Sequence, residues 1–321
     1  MFFIFGTLSL ISNICTLMSV FSGLADIFQK IKLFFIPYLL ISFTLTALYS
    51  FLHWILIIKF QFVQVDYMYI EFWIPALIPV LPIYFYFSHR LKLFAFASRK
   101  SNPLNFYYFI LWISMAFSLG TTQNFLEKAT GKLSILDNVT QIYQLKKSKY
   151  YKLNRHYVHK KDVGIYKTTS VSGKHNEKFN MNIYVVMPLL PSVNDTNNTF
   201  GMAWLAKNYQ KTISNKVPQS SKKLSLEHFG QESAAEFEKE DFDDFVYLER
   251  PKPGKQLKAF EEALRYSPYY RFENRVILAG IRTPFNERLD ASVDFMIGSF
   301  LVGCFIWLVM IIIPNLRGRQ S

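Results

Sequence analysis

From Phe295 to Pro314 the chain carries no charged side chain, and three earlier stretches are nearly as bare. These runs constrain the fold more than any other feature. A hydrocarbon layer of ~30 Å takes roughly 20 mostly apolar residues per helix, and a helix that is apolar all round must be surrounded by core or by lipid. Spans are expected over residues 33–58, 72–87, 104–119 and 293–313. Residues 1–24 are apolar but diluted by Ser, Thr, Gly and Asn. They read either as a weak fifth span or as a segment lying in the membrane plane.

The short connections fix an expected orientation. Residues 60–71 carry Asp66 and Glu71 and no Lys or Arg, whereas residues 88–103 carry Arg90, Lys92, Arg99 and Lys100. Basic loops stay in the cytoplasm. That places residues 88–103, the region around Lys30 and the tail with Arg317 and Arg319 inside. Residues 122–291 then lie outside. The expected location is a membrane, crossed several times.

Net charge is +13, and residues 122–291 hold 27 basic and 19 acidic side chains against 9 and 4 elsewhere. A folded, charged domain is therefore inserted between apolar spans. The expected fold class is an α-helical membrane bundle of four, or five, spans with an inserted α+β extracytoplasmic domain. Its parts are an apolar N-terminal segment (1–29), a three-span region (30–121), the α+β domain (122–291), and a last span with a basic tail (292–321). Cys15 and Cys304, the two cysteines, lie in apolar segments, so no disulfide framework braces the domain.

Within the domain, residues 127–145 read as helix broken near Thr130-Gly131. Residues 150–158, 163–171, 181–187 and 202–209 read as strands, being rich in β-branched and aromatic residues with partial alternation. Residues 192–199 read as loop. A helix follows over 224–239, with Ser225 as a candidate cap, then a strand at 242–248, a helix at 257–265 and a strand at 276–281. Eleven Lys and Arg fall in residues 132–178 and eight acidic residues in 227–244. Such runs are solvated faces that attract each other, or a basic surface toward anionic lipid or an acidic partner. No RNA- or DNA-binding module is present, so nucleic acid is not an expected partner.

Several residues invite a chemical reading. His156, His159 and His175 match no zinc spacing, and the first two, three apart in an expected strand, would point to opposite faces. Ser172-Gly173 with His175 reads as a turn joining two strands. His53 and Asp294 are titratable residues near span ends, read as interfacial anchors. Pro75, Pro79 and Pro82 crowd one short span and must bend it, making it a packed, kinked helix or one that lines a cavity. Gly298, Ser299 and Gly303 suit close helix packing. No catalytic, metal or cofactor-binding residue is expected among them.

Certain strings are similar to a known family. They are Phe35-Ile36-Pro37-Tyr38 with Leu52-His53-Trp54, Phe72-Trp73-Ile74-Pro75, and Ala129-Thr130-Gly131-Lys132-Leu133 leading into Leu136-Asp137-Asn138. Further on come Lys149-Tyr150-Tyr151, Val171-Ser172-Gly173-Lys174-His175-Asn176, Phe179-Asn180-Met181 and Ala203-Trp204-Leu205. Over most of residues 30–315 the chain resembles the N-terminal region preceding the protease domain in Bacteroidetes-type rhomboid family intramembrane serine proteases. Members of that family use a serine in a Gly-x-Ser-Gly motif and a histidine on another span. The motif does not occur here. The resemblance thus implies an accessory part without the catalytic part, a recognition or regulatory module in the lipid bilayer, beside a membrane protease or its protein substrate. The alternatives are a truncated or divergent rhomboid-type protease, and a membrane sensor or transport component.

Overall fold

A computed structural model describes residues 24–60, 65–95, 103–143, 148–197, 203–268 and 276–316. The expectations for residues 1–23, including Cys15, and for Arg99, Lys100, Arg317 and Arg319 lie outside the described residues. Helices α1 (Leu24–Lys59) and α2 (Tyr69–Leu91) are followed by the short strand β1 (Phe94–Ala95) and by α3 (Leu104–Thr130). Next come β2 (Leu133–Leu136), β3 (Tyr150–Leu153), β4 (Tyr157–Val158), β5 (Gly164–Ser172), β6 (Lys178–Leu190) and β7 (Ala203–Ser214). Helix α4 (Gln219–Lys239), β8 (Tyr247–Glu249), α5 (Lys255–Arg265), β9 (Ile277–Ile281), α6 (Asp290–Ile312) and β10 (Asn315–Leu316) complete the order. The chain divides into two compact units, one made of Met1–Ala129 with Leu289–Ser321, the other Thr130–Arg288.

Among the described residues, four helices are long and apolar enough to cross a membrane: α1, α2, α3 and the run Phe285–Ile312 that contains α6. Their most apolar stretches have mean hydropathy between 1.3 and 2.6. The bundle turns large apolar groups outward, with Phe43, Phe85, Phe305 and Ile313 between 67% and 71% exposed. Small polar residues point inward instead, Ser114, Ser118, Thr121 and Ser299 among them. Water would penalise that distribution and hydrocarbon would not.

One end of the bundle is closed by specific contacts. Strand β1 pairs antiparallel with β10. Lys30, 2% exposed, bonds the Ile312 carbonyl at 3.0 Å and Asp26 at 2.6 Å. Tyr107 donates to the Met310 carbonyl at 3.0 Å, and Trp307 is buried among Tyr38, Phe87 and Tyr107. At the opposite end Tyr49 bonds the Ile70 carbonyl and Asn124 bonds Glu71. The helices therefore alternate in direction, and both connections to the inserted unit leave from this second end.

Prolines in α1 and α2 leave carbonyls that a neighbouring helix approaches. Pro75 cannot donate to the Glu71 carbonyl, and α3 approaches that oxygen so closely that a Cβ on Gly120 would lie 2.4 Å from it. In α1, Pro37 cannot donate to the Leu33 carbonyl, which accepts from Arg90 Nη1 at 2.9 Å. Trp112 donates to the Ala76 carbonyl at 2.6 Å. Polar groups on neighbouring helices thus satisfy backbone that lipid could not.

The second unit is a mixed sheet in the order β2-β3-β8-β9-β7-β6, with β4 and β5 both against the far side of β6. The pairs β2–β3 and β7–β9 are parallel and the others antiparallel. On one face Met181, Ile183, Val185, Leu205 and Leu248 pack with Phe229 of α4. On the other, Val186, Trp204 and Ile277 pack with Phe260 and Leu264 of α5. The result is a sheet between two helical layers, each burying the apolar half of an alternating strand.

Several expected elements differ from those observed. The helix expected over 127–145 ends at Thr130, and Leu133–Leu136 is a strand parallel to β3, with a 3₁₀ turn at Val139–Ile142. Helix α3 runs on past residue 119 because its polar residues Thr121 and Gln123 face the bundle interior. Strand β6 passes through Pro188, which stands where β6 has no partner on one side: β5 pairs as far as Val186 and β4 begins at Leu189. The expected strand 242–248 shrinks to Tyr247–Glu249. Helix α4 begins at Gln219 after Pro218, so Ser225 lies inside it and caps nothing.

Candidate functional site

Inside the bundle, polar side chains meet one another. Gln123 is 0% exposed. Its Nε2 donates to Ser50 Oγ at 3.1 Å and to the Leu119 carbonyl at 3.3 Å. Its Oε1 is then the acceptor for His53, 2.9 Å away, which puts the proton on Nδ1 of the imidazole. His53, expected as an interfacial anchor, is buried among the helices near the end where Tyr49 meets Ile70, with Gln123 as its polar partner. The Ser299 hydroxyl lies 2.8 Å from that of Thr121 and 2.8 Å from the Met296 carbonyl. Asp294 is exposed one turn into α6.

A lateral cavity of about 530 Å³ opens among α2, α3 and α6. Ala76, Ala116, Gly120 and Ala291 keep it open, and Glu71, Asn124 and Lys128 stand among its lining groups. The proline-rich span therefore both packs and lines a cavity.

The sheet unit holds a cleft of about 580 Å³ between α4 and the strands β5 and β6. Helix α4 packs over β6 and β7 and stops short of β5, leaving Ile165 42% exposed. Val163, Ile183, Val185 and Phe237 give the cleft an apolar floor, and Lys160, Lys161 and Lys167 stand around it. Lys160 Nζ bonds the Glu240 carbonyl at 2.5 Å and lies 5.0 Å from the centre of the Phe242 ring. Lys161 and Lys167 are exposed and have no ion-pair partner among the described residues. Glu238 is the acidic group in the lining.

Charge around the cleft is organised by Glu240, at the end of α4. Its carboxylate takes Lys207 at 2.6 Å, Arg282 at 3.2 Å and the Tyr209 hydroxyl at 3.2 Å. Burial, and then the carboxylate beside it, push the Tyr209 phenol well above its ordinary pKa, so it stays a donor. The acidic tract 227–244 thus pairs mainly with β7 and Arg282, through Lys207–Glu240 and Lys211–Glu232, and the basic run 132–178 contributes little. That pairing leaves Lys161 and Lys167 without an ion-pair partner among the described residues.

The three expected histidines are not brought together. His156 lies over Phe245, ring centres 4.5 Å apart, and 3.5 Å from Asp243. His159 Nε2 lies 2.8 Å from Asp162. His175 sits in the turn between β5 and β6, where its N–H bonds Glu177 Oε2. Among the described residues no group of three His, Cys, Asp or Glu could hold a metal ion. The cleft itself was missed from sequence, because β5 and α4 are far apart in the chain. The available signal was Ile165 and Lys167, which alternate on one face of an otherwise polar strand.

Comparison of the chain with family models, with curated proteins and with solved structures found no match.

Proposed function

We propose that this chain is a non-catalytic membrane module that holds a recognition domain on the extracytoplasmic face of a bacterial inner membrane. One observation carries the reading. Polar groups of the bundle engage each other, His53 with Gln123 and Ser299 with Thr121, whereas the sheet unit leaves a lysine-rimmed apolar cleft open. A bundle so satisfied is a scaffold, and an open cleft with convergent charge is the form of a binding site. On this reading the partner is a membrane protease or its protein substrate, in keeping with the resemblance to the accessory region of rhomboid family proteases. The basic loop with Arg90 and Lys92 favours the orientation.

The test is photo-crosslinking in native membranes. A benzophenone side chain at Lys161 should yield one discrete adduct, and one at Lys258 on the opposite helical layer should not. Equal labelling at the two positions, or no adduct at Lys161, would defeat the proposal. A second reading, as a transport or sensor component, draws on the bundle cavity lined by α2. Solute-dependent protection of the Glu71–Ala76 backbone from hydrogen exchange would favour it.

A further inference from the structure

Strand β5 is paired on one side only. Its nine residues match β6 without a break, from Gly164 opposite Val186 to Ser172 opposite Lys178. Among the described residues no strand takes the other side. Free edges are usually blunted by a bulge, a proline or dense charge. β5 has no bulge, since its register is continuous; it contains no proline and one charged residue, Lys167. A backbone of this kind is a template for another strand.

The edge is also adjacent to the cleft. Ile165, Lys167, Thr169 and Val171 lie on the α4 side of β5, because they stand opposite Val185, Ile183, Met181 and Phe179. Helix α4 approaches the Lys167 ammonium at Gly230 but does not cover the strand, and Val171 is 47% exposed. Near the start of the strand, α5 closes over the opposite face so tightly that a Cβ on Gly164 would lie 2.2 Å from the Ala263 carbonyl. The accessible template therefore runs from Ile165 to Ser172, with the cleft alongside.

Resting on the recognition reading above, we propose that β5 binds an extended polypeptide segment by strand addition. The segment's cleft-facing side chains, two residues apart, are a carboxylate and an aliphatic group. The spacing follows from β5 itself. Directly opposite residues of neighbouring strands share a face, so a carboxylate falls beside Lys167 and an aliphatic group beside Ile165. Lys161 adds a second positive charge at that place. A second copy of this chain is the poorer occupant. β5 contains no carboxylate, so edge-to-edge pairing of two copies leaves both lysines uncompensated.

The test uses the full chain in nanodiscs and capped nine-residue peptides read by fluorescence anisotropy at low salt. One peptide alternates polar residues with Glu and Val on the cleft-facing positions. A second replaces Glu with Lys, and a third is the first with N-methyl groups along the edge that would pair. The acidic peptide should bind, and the other two should bind at least about tenfold more weakly. Binding should protect amides within Ile165–Ser172 from exchange. Lys167→Glu should invert the preference, taking the Lys peptide over the Glu peptide. Because inversion requires a folded cleft, it separates lost charge from lost structure. Equal binding of the N-methylated peptide would overturn strand addition, and so would concentration-dependent dimerisation without peptide binding. No peptide binding alongside a retained adduct at Lys161 would overturn this mode while leaving the recognition reading in place. Loss of both would remove both.

Discussion

The two units of this chain bury opposite things. The bundle hides Ser114, Thr121, Gln123 and Ser299 and turns Phe43, Phe85 and Phe305 outward, while the sheet unit hides Val186, Trp204 and Leu278 and turns Lys161, Lys167 and Glu238 outward. The same principle produces both, because each unit places outside what its solvent tolerates. The difference teaches where binding can occur. In the bundle Tyr49, His53, Thr121 and Asn124 each find a partner on a neighbouring helix. In the sheet unit surface charge is stable without a partner, so Lys161 and Lys167 can remain available.

Substitutions that break one unit and spare the other should show the contrast most strongly. Gly164→Val should destabilise the sheet unit by about 3 kcal/mol or more, since its side chain meets the Ala263 backbone and cannot be relieved by a rotamer change. Far-UV circular dichroism and limited proteolysis should find the sheet lost and the bundle helices retained. Trp307→Ala, which opens a cavity among Tyr38, Phe87 and Tyr107, should cost the bundle about 3–5 kcal/mol. Detergent-resistant unfolding should shift for that variant, with the β-sheet signal unchanged.

A smaller effect is expected where charge ties the cleft together. Glu240→Ala leaves Lys207 and the Tyr209 hydroxyl without their acceptor and should cost about 2 kcal/mol in denaturant unfolding. It also releases the end of α4 beside the cleft. Acid should act through His156. Burial holds its imidazole below the ordinary value of about 6.5, against a weaker opposing pull from Asp243. The folded state prefers the neutral ring, so this contribution is complete above the ordinary value and is lost as pH falls through it toward the depressed one. His156→Phe should flatten that part of the stability–pH curve. Lys211→Ala should change nothing resolvable, because the Lys211–Glu232 pair is exposed on both sides. A large loss there would show that surface charge in this unit is structural after all.

Apolar run length made the four long helices legible in the sequence, and β-branched composition revealed most strands. Their limits were less so, for local reasons. Hydropathy ends near Leu119, yet α3 continues to Thr130 because Gln123 has His53 to bond inside the bundle. The strand expected over 181–187 stops short of Pro188, and β6 passes through it because two different strands share that side. Residues 133–136 looked helical until their parallel partner β3 was in view. The cleft was the least legible part. It needs α4 to stop short of β5, a fact of packing that no single segment carries. The orientation expected from the basic loops is open to direct measurement.

That measurement is thiol labelling in intact cells, with Cys15→Ala and Cys304→Ala as background. Single cysteines are placed at Ser172, in the sheet unit, and at Lys92, beyond α2 at the other end of the bundle. A membrane-impermeant maleimide should label Ser172→Cys at once and Lys92→Cys only after lysis. Labelling of Lys92→Cys before lysis, with Ser172→Cys protected, would contradict the account, because the cleft would then face the cytoplasm.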